Sequence, residues 1–72
     1  MPSFADRLKE LRKAKGVTQK QVAEFLGIKE RSYQNYEYEN SEAPYATLAT
    51  LADYFEVSTD YLLGRSDNPA RQ

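Results

Sequence analysis

One segment, residues 18–37, constrains the fold of this 72-residue chain more than any other part. It reads TQKQVAEFLG followed by IKERSYQNYE, and Gly27 divides it in two. Apolar residues recur at helical spacing on both sides of this glycine, Val22, Ala23 and Leu26 before it and Tyr33 and Tyr36 after it. Glycine readily adopts the positive φ of a sharp turn after a helix. The segment therefore predicts two short helices that meet at a tight turn.

The start of the first of these helices is well marked. Thr18 is a good N-cap, and Gln21 follows three residues later, which is the capping-box pattern. Val17 and Val22 are placed to form a hydrophobic staple across the cap. The predicted helix spans Gln19 to Leu26. Two helices joined by so short a turn form a helix-turn-helix, whose second helix can lie in the major groove of DNA.

The second helix is predicted from Glu30 to about Tyr38, and its start lacks a good cap. Lys29 stands at the N-cap position, where lysine is a poor capping residue. Two explanations stay open at this point. Lys29 either lies beside a DNA phosphate, or is tolerated because tertiary packing holds the helix.

Three further helix patterns lie outside this segment. Phe4, Leu8 and Leu11 are spaced i, i+4 and i+7 and form one apolar stripe. Pro44 suits the first turn of a helix, and Ser58 is a good N-cap. The helices predicted from these signals are Phe4 to about Ala14, about Tyr45 to Phe55, and about Thr59 to Leu63.

The five predicted helices give an all-α domain over residues 1–64, with the helix-turn-helix at about 18–38. The last residues, 65–72, read RSDNPARQ, a composition typical of a flexible C-terminal tail.

The composition excludes several classes of function. The chain has no cysteine and no histidine, so disulfides, thiolate metal sites and the usual general base are absent. No apolar run approaches the roughly 20 residues that span a bilayer. The first ten residues lack the apolar stretch of a signal peptide, so we expect a cytoplasmic protein.

The charges are unevenly distributed along the chain. The net charge is −1, with a pI of about 5.3. Residues 1–20 carry six basic and two acidic side chains, a net +4, and residues 21–72 carry four basic and nine acidic ones, a net −5. A DNA-binding chain with this balance is expected to have modest non-specific affinity and a shallow salt dependence.

These motifs, in this order, resemble the Cro/CI-type helix-turn-helix domains of phage repressors and related bacterial regulators, the XRE family. The matching pieces are LRKAKGVTQKQVAEFLGI, NYE and TLATLADYFEVSTDYLLG, which together extend from about Phe4 to Gly64. The resemblance implies a compact five-helix, lambda-repressor-like domain. In such a domain the first helix of the motif crosses the DNA backbone and the second enters the major groove.

The resemblance also implies roles for individual side chains. Arg12 and Glu37 match an arginine and a glutamate that form a largely buried ion pair, and Tyr33 and Tyr36 match apolar core positions. The outward positions that would meet base edges are Glu30, Arg31, Gln34 and Asn35. The expected phosphate contacts are Gln19, which the resemblance supplies, together with Lys20, Lys29, Tyr38 and Asn40.

The chemistry of the outward side chains fits base recognition. Arg31 can donate two hydrogen bonds to guanine, Glu30 can accept one from cytosine N4, and Asn35 or Gln34 can pair with adenine. The competing interpretation is that these residues form only a solvated helix face.

Two other groups invite a different chemistry. The six tyrosines suggest base stacking, as in single-strand binders, but Tyr33 and Tyr36 are spaced for a core. Glu37, Glu39 and Glu42 could suggest a metal site or a catalytic carboxylate pair. Glu37 is already assigned to Arg12, and no histidine supports the cluster. We therefore expect neither an enzyme nor a metal or other cofactor, and no small-molecule ligand is evident.

The last helix is expected to form a dimer contact through Tyr61, Leu62 and Leu63. A homodimer would read an inverted repeat in double-stranded DNA with half-sites about one helical turn apart. The predicted function is thus a DNA-binding transcriptional regulator, most simply a repressor. The alternative is a protein-interaction module of the same fold that has lost most of its DNA affinity, which the low pI and the acidic loop at Glu39–Glu42 favour.

Overall fold

The computed structural model describes residues 3–38 and 41–70. These residues form five helices and no strand, which confirms the predicted all-α class. α1 ends one residue later than predicted, and α3 and α5 each end one residue earlier. The helices are α1 (Phe4–Lys15), α2 (Gln19–Leu26), α3 (Glu30–Glu37), α4 (Tyr45–Phe55) and α5 (Thr59–Leu62).

Local signals explain most of the helix boundaries. The Thr18 side chain accepts a hydrogen bond from the Gln21 amide, and the Gln21 side chain accepts one from the Thr18 amide, so the predicted capping box is confirmed. Ser3 and Asp6 form a second box at α1, which the sequence analysis did not identify. Lys29 makes no side-chain capping bond at α3, and both explanations offered for it stay open.

The turn between α2 and α3 depends on the backbone conformation of Gly27. Its φ is +72°, in the left-handed region that favours glycine. A Cβ added here would meet no atom of the described residues within 4 Å, so the requirement for glycine comes from φ rather than from crowding. α4 ends on the same conformation at Glu56, with φ of +58°, although its sequence gives no such signal.

The core collects at least one fully buried side chain from every helix. Burying each large apolar side chain stabilises the fold by roughly 1.5–3 kcal/mol, so these contacts hold the helices in place. Because both helices of the motif pack on this core, their relative orientation is fixed. The fully buried side chains include Leu8, Val22, Tyr33, Leu51 and Leu62.

The segment after α5 contacts the helical body. The Ser58 amide donates a hydrogen bond of 3.1 Å to the Pro69 carbonyl, and Asp67 pairs with Arg7 at 2.9 Å. The flexibility of residues 65–72 stays a prediction. Two of these residues, Arg71 and Gln72, lie outside the described residues. The domain boundary at Gly64 likewise stays a prediction. Within the described ranges, no helix has the length and apolarity needed to cross a bilayer.

Candidate nucleic-acid interface

α3 has two distinct sides. Tyr33, Tyr36 and Glu37 are buried, whereas Glu30 and Arg31 are exposed. This division follows the helical period, because residues three and four apart share a face. The remaining two predicted base contacts, Gln34 and Asn35, are half-buried at the margin of the exposed side. All four are thus at least partly accessible on one helix.

The buried side of α3 is fixed by hydrogen bonds to Glu37. Arg12 donates to both carboxylate oxygens, with Nε 2.6 Å from Oε2 and Nη2 3.2 Å from Oε1. The Tyr33 hydroxyl donates to Oε2 at 2.5 Å, and Gln19 Nε2 donates to Oε1 at 3.1 Å. Arg12 Nη1 also donates to the Val17 carbonyl at 3.1 Å. The ion pair that the family resemblance implied is therefore present and joins α1, α2 and α3.

The surroundings of this cluster favour the charged forms of Glu37 and Arg12 and the neutral form of Tyr33. Burial tends to raise the pKa of Glu37, but hydrogen bonds from Arg12, Tyr33 and Gln19 outweigh it and hold that pKa below its ordinary value of 4.5. The hydrogen bond to Glu37 raises the pKa of Arg12. Burial, followed by the bond to the carboxylate, raises the pKa of Tyr33. Glu37 is thus ionised at neutral pH, and its oxygens can only accept.

Gln19 occupies a different position from the one expected of a simple phosphate contact. Its side-chain nitrogen donates to Glu37, and its side-chain oxygen accepts from Gln34 Nε2 at 3.2 Å. The amide therefore bridges the buried ion pair and the exposed side of α3. A direct phosphate contact by Gln19 stays a prediction, and the second N–H of its side-chain amide, for which the described residues supply no acceptor, could make it.

The other expected phosphate contacts are accessible where the structure describes them. Lys20 and Lys29 are exposed, and they stand near the N-termini of α2 and α3. Tyr38 is exposed at the end of α3. Asn40 lies outside the described residues. Their contact with DNA stays a prediction.

The predicted dimer residues differ in accessibility. Leu62 is 0% exposed, because its side chain completes the core of the single chain. The assignment of Leu62 to a dimer surface is therefore wrong. Leu63 is exposed, and Tyr61 is half-buried beneath Arg7, whose guanidinium carbon lies 3.8 Å from the ring centre.

The acidic residues considered as a metal or catalytic site do not form a described cluster. Glu37 is fully engaged by its donors, Glu42 is exposed, and Glu39 lies outside the described residues. Across residues 3–38 and 41–70, no three acidic side chains are grouped so that they could hold a metal ion.

Besides the bond between Gln19 and Gln34, two further contacts had no signal in the sequence. Arg7 pairs with Asp67 across 60 positions of the chain, and the Phe25 ring lies 4.4 Å from the Tyr54 ring, centre to centre. Both join elements that local pattern cannot place side by side.

Comparison with known proteins agrees with this geometry. A helix-turn-helix domain model matches residues 5–67. The chain is 44% identical over 66 residues to the uncharacterized HTH-type transcriptional regulator YobD of Bacillus subtilis, covering 92% of this chain and 59% of the relative.

Two further relatives extend the comparison. The HTH-type transcriptional regulator ImmR of Bacillus subtilis is 43% identical over 65 residues, which cover 90% of this chain and 51% of ImmR. The cryptic phage CTXphi transcriptional repressor RstR of Vibrio cholerae is 40% identical over 60 residues, covering 83% of this chain and 54% of RstR. The chain thus spans between half and three-fifths of these relatives. On this evidence of sequence and fold, the chain belongs to the helix-turn-helix family of transcriptional regulators and phage repressors, as its motifs predicted.

Proposed function

We propose that this chain is the sequence-specific DNA-binding part of a transcriptional regulator, with α3 in the major groove. One observation carries the proposal: α3 turns Tyr33, Tyr36 and Glu37 into the core and leaves Glu30 and Arg31 accessible. An exposed helix held from behind in this way can enter a groove about 12 Å wide as a rigid body.

Lysines beside the two helix starts support the same orientation. Lys20 and Lys29 are exposed next to the N-termini of α2 and α3, where free backbone amides favour an anion. Phosphate contacts there would set the register of α3 without reading sequence. Arg31 would then reach a guanine, and Glu30 a cytosine amino group.

We further propose that the regulator is a repressor that binds an inverted repeat as a homodimer. Support comes from the similarity to the repressor RstR and from the exposure of Leu63 beside the half-buried Tyr61. A two-fold dimer matches the symmetry of an inverted repeat. Sedimentation analysis with and without Leu63→Ser tests this part. A wild-type chain that stays monomeric on DNA as well as in solution would contradict it.

The proposed sequence-specific DNA binding is tested by selecting bound fragments from a random DNA pool and then titrating binding at several salt concentrations. Arg31→Ala should lose preference at one G·C pair, by about 5-fold to 150-fold for a contact worth ~1–3 kcal/mol. Lys20→Ala should weaken all fragments alike and reduce the salt slope by about 1. Lys13→Ala, on the exposed side of α1, is the matched control and should change neither.

The alternative function gives a different result in the same experiment. A protein-interaction module with this fold would bind no fragment in a salt-dependent way, even at low ionic strength. That outcome would overturn the proposal of DNA binding and favour the alternative.

A further inference from the structure

We propose that Gln34 reads DNA as a hydrogen-bond acceptor only, so that it selects the amino group of an adenine or a cytosine, and that Gln19 is the positioning residue that imposes this choice. The inference rests on the proposed function and specifies the chemistry of one contact within it. The observation behind it is a chain of hydrogen bonds from the buried ion pair to the exposed side of α3.

This chain of hydrogen bonds begins at the Glu37 carboxylate, whose acceptor sites are all used. Glu37 accepts two bonds from Arg12, one from Tyr33 and one from Gln19, and a carboxylate offers about four lone-pair sites. Because Glu37 is ionised, it can only accept. Gln19 must therefore turn its NH₂ group, and not its oxygen, toward Glu37.

The orientation of Gln19 fixes that of Gln34. With its nitrogen on Glu37, the Gln19 amide presents its oxygen toward α3, and Gln34 Nε2 donates to that oxygen at 3.2 Å. The second N–H of Gln34 faces Glu30 Oε2, at the longer distance of 3.5 Å. Both donors of Gln34 thus have acceptors within the protein. Its Oε1 accepts no bond from the described residues and is left for a ligand.

A single acceptor distinguishes bases in the major groove. Adenine N6 and cytosine N4 are the donors on that edge, whereas guanine and thymine present oxygen acceptors at the corresponding places. An unrestrained glutamine can bind adenine through both N6 and N7, or can donate to guanine or thymine. The hydrogen bonds that lead from Glu37 through Gln19 occupy both N–H groups of Gln34. Gln34 therefore cannot donate to a base and can only accept from a base amino group. The neighbouring carboxylate of Glu30 has the same preference.

Selection from a random DNA pool by three variants tests the inference. The wild type should prefer adenine or cytosine over guanine or thymine at one half-site position by about 10-fold or more. Gln34→Met should lose the preference at that position alone, which identifies it. Gln19→Met keeps the side-chain length but frees Gln34, so the preference there should fall to about threefold or less. Lys20→Met, on the exposed neighbour of Gln19, should lower affinity and leave the preference intact.

A second measurement examines the hydrogen bonds from Glu37 through Gln19 to Gln34 in the protein without DNA. In ¹⁵N-resolved NMR spectra, Gln19→Met should shift the side-chain NH₂ signals of Gln34 and speed their exchange with water. Lys20→Met should leave these signals in place. Circular dichroism of each variant checks that the fold is retained.

The results separate the two proposals. Guanine or thymine at the position identified by Gln34→Met would overturn the inference while DNA binding stood. Unchanged base preference and unchanged Gln34 amide signals in a folded Gln19→Met variant would do the same. Failure of every fragment to bind would overturn the proposed function, and the base-edge assignment with it.

Discussion

Two ion pairs tie α1 to distant parts of the chain, and their acidic partners differ in exposure to solvent. Arg12 and Arg7 both have shielded side chains, 15% and 7% exposed. Their acidic partners are opposites, because Glu37 is 1% exposed and Asp67 is 97% exposed. The Arg12–Glu37 pair is largely shielded from solvent, so Glu37 depends on donors from the protein, whereas Asp67 is almost fully exposed to solvent. We therefore expect the loss of the Arg12–Glu37 pair to destabilise the fold much more than the loss of the Arg7–Asp67 pair.

The surroundings of the two arginines reinforce this contrast. The Arg12 guanidinium bonds to both oxygens of Glu37 and to the Val17 carbonyl. Arg7 donates to Asp67 from Nη2, its Nε has no hydrogen-bond partner among the described residues, and its guanidinium lies over the Tyr61 ring. Burial of Arg7 thus relies on packing and a cation–π contact more than on its acid. The Arg12 pair is a structural centre, and the Arg7 pair is a peripheral attachment.

The largest expected effect comes from breaking the buried pair. Arg12→Met should lower the free energy of unfolding by about 3–5 kcal/mol, because it leaves the Glu37 charge buried without its main partner. Urea denaturation measures the loss, with Lys13→Met on the exposed side of α1 as the control. Adding Glu37→Met to Arg12→Met should restore part of the stability, since an apolar pair needs no counter-charge. An unchanged urea midpoint in Arg12→Met would contradict the contrast.

The Tyr33 hydroxyl tests the network around the same carboxylate. Tyr33→Phe keeps the ring in the core and removes the 2.5 Å bond to Glu37. Bonds to charged groups are worth about 1.5–3 kcal/mol, and we expect a loss in that range. Tyr54→Phe, in a half-buried ring without a bond to Glu37, is the matched control. Equal stability of Tyr33→Phe and wild type in urea would show that the hydroxyl contributes nothing.

The pH dependence of stability gives a third test. The pKa of Glu37 is lowered in the folded state, so its contribution is fully present above the ordinary value of 4.5 and is lost as pH falls through the folded value. The free energy of unfolding, measured from pH 7 to pH 2, should therefore fall more steeply in the wild type than in Glu37→Gln. Parallel curves for the two proteins would disprove the role assigned to this group.

The smallest effect is expected at the peripheral pair. Asp67→Asn should cost less than about 1 kcal/mol, because exposed ion pairs gain little and are screened by salt. Any difference from wild type should shrink further between 0.05 and 0.5 M salt, as urea titrations at the two concentrations would reveal. A loss comparable to that of Arg12→Met would abolish the distinction between the two pairs.

Features of the candidate site that depend on neighbouring residues were predicted from the sequence, and features that depend on how the helices pack were not. The pattern in residues 18–37 predicted α2, its capping box and the buried tyrosines of α3, because each depends on residues a few positions apart. The bond between Gln19 and Gln34 was not predicted, since it depends on how two helices face each other. The accessibility of Leu62 was predicted wrongly for the same reason. The sequence shows that residue 62 is an apolar leucine, but only the packing of the helices decides whether an apolar residue faces the core or a partner.

By itself, the sequence determined that residues 3–38 and 41–70 form five helices, where these helices begin and end to within one residue, and that the chain belongs with helix-turn-helix regulators. Helix periodicity, N-caps and left-handed glycines act over a few residues, so they can be recognised in the linear chain. The tertiary structure alone decided that the acceptor sites of Glu37 are saturated, that Gln19 passes this constraint to Gln34, and that Asp67 reaches Arg7. These contacts join residues 15 to 60 positions apart, and only the packing of helices on a common core brings them within hydrogen-bonding distance.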